Sequence, residues 1–198
     1  MSSTTHTQKR SPAKAGRPSS SRPPLSGSAA LHEVPRPRGR ELSPAELERF
    51  VAELAERPEL WIDLVRHDHT QRHYEELHCD AHLTAWLICW LDEQDTGFHD
   101  HDVSSGAVAV VSGALREERL VIDGSTRDRI VTAGQTFQFA ASDIHRVVHA
   151  GSDPAVSLHV YSPPLLRMGS YVIGDDGVLA RRPMSYREEL QPLEPTSP

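Results

Sequence analysis

Gly97-Phe98-His99-Asp100-His101-Asp102 is the stretch on which the reading of this chain turns. Side chains two apart on an extended strand share a face, so His99 and His101 would stand side by side. Two imidazoles fixed that way are part of a metal site, and a third must come from elsewhere. Gly134-Gln135-Thr136-Phe137-Gln138-Phe139-Ala140-Ala141-Ser142-Asp143-Ile144-His145 supplies it, as a strand and a turn that ends in His145. Neutral imidazole suits divalent iron, zinc, copper or nickel, and three on a rigid sheet leave coordination positions open for substrate. Histidine is abundant throughout: there are 12 in 198 residues, ten of them between His67 and His159.

Around this stretch the chain reads as short β-type runs: 83–91, 106–113, 117–122, 130–132, 135–140, 146–150 and 156–162. Gly, Asp, Ser and Pro turn signals separate them at regular intervals. Short strands without helices between them indicate a sandwich or a small closed barrel. Upstream, Ser43-Pro44-Ala45-Glu46 gives an N-cap serine, a proline at the first helical position and a glutamate three residues after the cap. Leu47, Phe50, Val51 and Leu54 then form one apolar stripe, so a helix is expected there. Pro58 ends it, and a second short helix is expected over 60–65.

Residues 1–40 carry eight Lys or Arg, eight Ser and six Pro, against Glu33 as the one acid. Such a segment cannot bury enough apolar surface to offset its ordering entropy, so a disordered basic tail is expected over 1–41. The folded domain is then expected over 42–190, with a flexible C-terminus over 191–198. The whole chain carries a net charge of −7, which argues against nucleic acid as a partner of the folded part. No apolar run is long enough to span a membrane, and no leader-like apolar core precedes the domain. A cytoplasmic protein is the expectation. Cys79 and Cys89 are too few for a disulfide scaffold.

The two histidine stretches resemble the motifs of the cupins. In the first motif His99, His101 and Gly113 stand at matching positions, Gly97 is the glycine before the pair, and Gly106 takes the place of the acidic ligand. The second motif fits Gly134 through His149, with Ala140, Ser142 and His149 where Pro, Gly and Asn are usual. The resemblance implies a mainly β fold, a jelly-roll-like double-stranded β-helix barrel with short N-terminal helices. A three-histidine cupin site without its glutamate resembles the thiol dioxygenases, of which cysteine dioxygenase is the best known. Cys89-Trp90 leading into the metal loop, His145-Arg146-Val147, and Ser157-Leu158-His159-Val160-Tyr161-Ser162-Pro163-Pro164 all resemble segments of that family.

What the resemblance implies is an Fe(II) enzyme of the non-haem dioxygenase kind, with His99, His101 and His145 as metal ligands. It would add both atoms of O2 to a small thiol, first of all cysteine, and leave a sulfinate. Ser157, His159 and Tyr161 alternate on one strand and would form a hydrogen-bond line that aims the Tyr161 hydroxyl at the reacting groups. Mammalian-type members carry a cysteine at the position of Gly106, cross-linked to the tyrosine, which Gly106 cannot do. At the place of the family's carboxylate-binding arginine stand His73 or Glu76, depending on register. Arg72 is the nearest guanidinium and the candidate substrate-binding residue. Other thiols (3-mercaptopropionate, cysteamine or a larger one) and a metal cupin acting on a non-thiol remain alternatives. A monomer is expected, as is usual for the family. Trp86 and Trp90 are read as core packing, His149 as structural, and His67 and His69 as a solvated run.

Overall fold

The structure, a computed structural model, describes residues 31, 34–122, 124–174 and 178–185. Most of the tail expected over 1–41, and all of the stretch 191–198, lie outside them. Helix α1, Pro44–Ala55, begins where the sequence signals place it, with the Glu46 carboxylate accepting the Ser43 backbone N–H at 2.9 Å. Its stripe of Leu47, Phe50, Val51 and Leu54 is buried, each such side chain worth about 1.5–3 kcal/mol. The second helix expected over 60–65 is instead a pair of single 3-10 turns, Pro58–Leu60 and Ile62–Leu64. Packing also begins further upstream than the expected boundary at 42, because Leu31 and Val34 are buried in the same core as α1.

Among the described residues, eleven strands follow: β1 (His73–Cys79), β2 (Thr84–Trp90), β3 (His99–Asp100), β4 (Ser105–Ser112), β5 (Ala114–Leu120), β6 (Thr126–Thr132), β7 (Thr136–Phe139), β8 (His145–Ala150), β9 (Ala155–Ser162), β10 (Arg167–Ile173) and β11 (Leu179–Ser185). They form two antiparallel sheets, ordered β1-β2-β9-β4-β7 and β11-β10-β3-β8-β5-β6. The mainly β, jelly-roll-like expectation holds, with the strands in two sheets rather than one closed ring. β1, β10 and β11 were not foreseen. β1 and β11 are edge strands rich in polar and charged residues, and β11 carries Pro183, all of which hide the period-two signal.

β2 and β9 are buried along their whole length, since each is covered on both faces. One face, with Ala85, Leu87, Cys89, Val156, Leu158 and Val160, packs under α1. The other, with Trp86, Ile88, Trp90 and Tyr161, meets Val147, Phe137, Phe139 and Met168 between the sheets. Ser157 and His159 share that inner face by alternation. This inter-sheet layer is where the histidines converge.

Candidate metal centre

Gly97 takes a positive φ of 67°, which glycine adopts without strain, and turns the chain into β3. β3 then lies between β10 and β8, and its pairing sets His99 directly opposite His145. The two distant stretches of sequence therefore meet as neighbours on adjacent strands. His101 follows on the same face as His99. All three rings are buried, and their candidate ligand nitrogens lie within 4.8 Å of one another.

Hydrogen bonds at the back of two rings decide which nitrogen faces inward. His99 Nδ1 lies 3.0 Å from the Gly97 carbonyl, an acceptor only, so Nδ1 carries the proton and Nε2 offers a lone pair. His145 Nδ1 donates to Glu117 Oε1 at 3.0 Å and likewise presents Nε2. The Nε2 atoms of His99 and His101 are 3.2 Å apart, close to the roughly 3 Å expected of two nitrogens on one ion with bonds of about 2.1 Å. The donor set thus fits a divalent metal, with carboxylate–histidine support of the usual kind behind His145. Glu117 also accepts Arg119 Nε–H at 3.0 Å and Arg129 Nε–H at 2.6 Å. Sequence reading passed over Glu117. Its one signal was an acid at the centre of β5, alternating with Leu115 and Arg119 where a buried face requires a partner.

The expected line on β9 is present. Trp90 Nε1–H can only donate, and Ser157 Oγ accepts it at 2.8 Å. The Ser157 hydroxyl then donates to His159 Nε2 at 2.8 Å, and His159 Nδ1–H points to the Tyr161 hydroxyl at 3.3 Å. Every donor finds an acceptor in this order, and the line ends at the Tyr161 hydroxyl. Tyr161 and His159 line a small cavity with His99, His145, Ile88, Thr96, Phe139, Val147 and Met168. Its free volume of about 10 Å³ is near that of a single water.

Trp90 is therefore more than core packing: it starts the polar line and also carries Arg72. The Arg72 guanidinium is buried and sits 5.3 Å from the Trp90 ring centroid. It is not among the residues that line the cavity. His149 is buried against Asp92 and the Asp153 carbonyl and is structural, while His67 and His69 are exposed as expected, His67 Nε2 lying 3.2 Å from the Ala155 carbonyl. Cys89 is a buried thiol that burial pushes above its ordinary pKa.

Phe139 was also missed. Its ring stacks on His101 at 4.4 Å and lies tilted against His145 at 4.5 Å, and a Cβ on Gly106 would overlap its Cζ. Phe139 thus fills the space in which a side chain at position 106 would have to lie. Gly106→Cys is expected to destabilise the fold by about 1–3 kcal/mol through overpacking. Its intact mass should show no loss of two hydrogens, the sign of a thioether to Tyr161. A stable variant that forms the cross-link would contradict this packing.

Burial drives the His101 and His145 imidazoles well below their ordinary pKa, with the neighbouring His99 adding to it. Burial, and then the Arg72 charge, bring His159 down to about 3. All three stay neutral in the folded protein near neutral pH, as ligands and acceptors must. In the unfolded chain they titrate near pH 6.5, so the unfolded state binds more protons below that pH. Metal-free protein is therefore expected to lose stability as pH falls from about 6.5, by about 1.4 kcal/mol per pH unit for each ring. Melting curves of metal-free protein at about pH 7.5 and pH 5 check this; an equal or higher Tm at the lower pH would contradict it.

Comparison with known proteins matches residues 28–172 to the family described as cysteine dioxygenase type I. No curated protein matches the chain. Among solved structures it is similar to TT1209 from Thermus thermophilus, with 18% identity, TM-score 0.46, and 52% of this chain and 92% of that one covered. It is also similar to a conserved protein with a double-stranded beta-helix domain from Klebsiella pneumoniae, at 15% identity, TM-score 0.46, and 52% and 80% coverage. Oxalate decarboxylase from Bacillus subtilis matches at 18% identity and TM-score 0.42, over 48% of this chain and 26% of that one.

Proposed function

The chain belongs to the cysteine dioxygenase type I family, and we propose that it is an Fe(II)-dependent dioxygenase of a small thiol, with cysteine the first candidate. The reaction is RS⁻ + O2 → RSO2⁻. Sulfur loses four electrons, dioxygen gains four, both oxygen atoms end on sulfur, and no outside reductant is needed. The observation that carries this reading is the meeting of the three-imidazole cluster and the Trp90–Ser157–His159–Tyr161 line at one small buried cavity.

His99, His101 and His145 would hold Fe(II), which when bound supplies the sites where thiolate and dioxygen meet. A neutral ligand set leaves the metal its full charge, and the substrate thiolate offsets part of it. Glu117 keeps His145 in the tautomer that presents Nε2. Tyr161 donates a hydrogen bond where negative charge grows on oxygen, and His159 fixes that hydroxyl from behind. Ile88, Val147, Met168 and Phe139 wall the cavity with apolar surface, which excludes water and favours a small substrate. Arg72 is the candidate for binding a substrate carboxylate, as a guanidinium does bidentately.

The place of Arg72, over Trp90 and outside the cavity lining, favours a second reading: a thiol that lacks a carboxylate, such as cysteamine. Iron-loaded protein with cysteine, 3-mercaptopropionate, cysteamine and a bulkier thiol, followed by oxygen uptake and sulfinate mass, tests both readings. Sulfinate formed in step with oxygen consumed is expected for at least one small thiol; no uptake with any of them would refute the proposal. Arg72→Gln then separates the two. If cysteine is the substrate, kcat/KM should fall by about 10–100-fold, roughly 1.5–3 kcal/mol for a lost charged hydrogen bond. An unchanged value would assign the cavity to thiols without a carboxylate.

A further inference from the structure

β3 is only two residues long, yet with His101 just beyond it this segment carries two of the three imidazoles. Its backbone is pinned at few points. His99 pairs with His145 and Ser170, Asp100 pairs with Gly169, and the Phe98 carbonyl accepts Tyr171 N–H at 2.8 Å. The alternation that turns His99 and His101 inward turns Asp100 to the opposite face. There Asp100, 6% exposed, accepts Arg181 Nε at 2.6 Å, Arg181 Nη2 at 2.8 Å, the Tyr171 hydroxyl at 2.6 Å and the Asp102 N–H at 2.9 Å.

Arg181 does not belong to a strand next to β3. The sheet order is β11-β10-β3, so the side chain has to lie across β10 to reach Asp100. It crosses at Gly169, the residue paired with Asp100. A Cβ on Gly169 would overlap Arg181 Nε and stand 2.6 Å from Asp100 Oδ2, so the crossing exists because that position has no side chain. Tyr171, two residues on and paired with Arg181, completes the enclosure. The match to the family ends at residue 172, so Arg181 stands on a strand beyond it.

We propose that Arg181 is a positioning residue that clasps Asp100 across Gly169 and so holds His99 and His101 at the spacing a single metal ion needs. A bidentate guanidinium fixes both distance and angle, which the backbone pairing of so short a strand does not. The inference rests on the three-imidazole metal reading and is independent of the thiol chemistry.

Cobalt(II) is the probe, because its visible spectrum reports ligand geometry and its affinity is read without turnover. Arg181→Met is expected to raise the Co(II) Kd by about tenfold and to alter the ligand-field bands. Arg182→Met, the exposed neighbour on the same strand, should stay within about twofold of wild type and keep its spectrum. Arg181→Lys, which returns the charge without the fork, should recover the Kd only in part. An Arg181→Met protein with wild-type affinity and spectrum would overturn the clasp. Should that variant not fold, Tyr171→Phe removes one donor and leaves the ion pair. It should then release Co(II) to a chelator about threefold faster, less than the roughly 10–100-fold effect of losing a supporting residue outright, because the ion pair remains. Release at the wild-type rate would equally overturn it. Wild-type protein that takes up no Co(II) would sink the metal reading and the clasp together.

Discussion

His145→Ala is expected to strip the metal centre: iron affinity should drop by more than about 100-fold and turnover should vanish with it. The size follows from position. His145 reaches the cluster from β8, and His99 and His101 come from β3, so removing it leaves two imidazoles with no ring opposite them. A lost ligand must weaken binding more than a lost supporting residue, and supporting residues already cost about 10–100-fold. Glu117→Gln gives the internal scale. It keeps an acceptor for His145 Nδ1–H but removes the anion, so it should lie in that smaller range. The ranking His145→Ala weaker than Glu117→Gln weaker than wild type is read from metal content after equal dialysis. Equal iron in all three proteins would show that His145 is not a ligand.

Tyr161→Phe should behave in the opposite way, with iron retained and the rate lost. The hydroxyl is the end of the line that begins at Trp90 Nε1 and runs through Ser157 and His159. Its ring stands among aromatic neighbours, 5.4 Å from His101 and 6.0 Å from Phe139, and phenylalanine fills the same space. Only the donor disappears. Removing one preorganised donor to developing charge costs about 100-fold in kcat. Sulfinate formed per oxygen consumed should also fall below wild type. Wild-type rate and coupling in this variant would remove Tyr161 from the chemistry and leave it a packing residue.

How legible this was in the sequence varied by residue type. The candidate ligands His99 and His101 could be read because a strand's period of two fixes their common face before any tertiary contact is known. Helix α1 could be read because its start is a local matter of cap, proline and glutamate. The same alternation placed Ser157, His159 and Tyr161 together. Glu117, Phe139 and Arg181 could not be assigned, and Arg72 could be named only as a candidate, because what each side chain meets is set by strand pairing and packing rather than by local pattern. The register that sets Gly169 beside Asp100, or sends Arg72 over Trp90, is decided by pairing across the sheet. The edge strands β1 and β11 were hidden for the reason that protects them: charged, exposed residues carry no apolar period. Burial of Leu31 and Val34 likewise depends on a core built from residues far downstream.

An anomalous difference map from a crystal of the iron-reconstituted protein, measured at the iron edge, tests the whole account most directly. One peak per chain is predicted, bonded at about 2.1 Å to Nε2 of His99, His101 and His145 with no carboxylate among its protein ligands. Density at any other group, or none between those three rings, would contradict it.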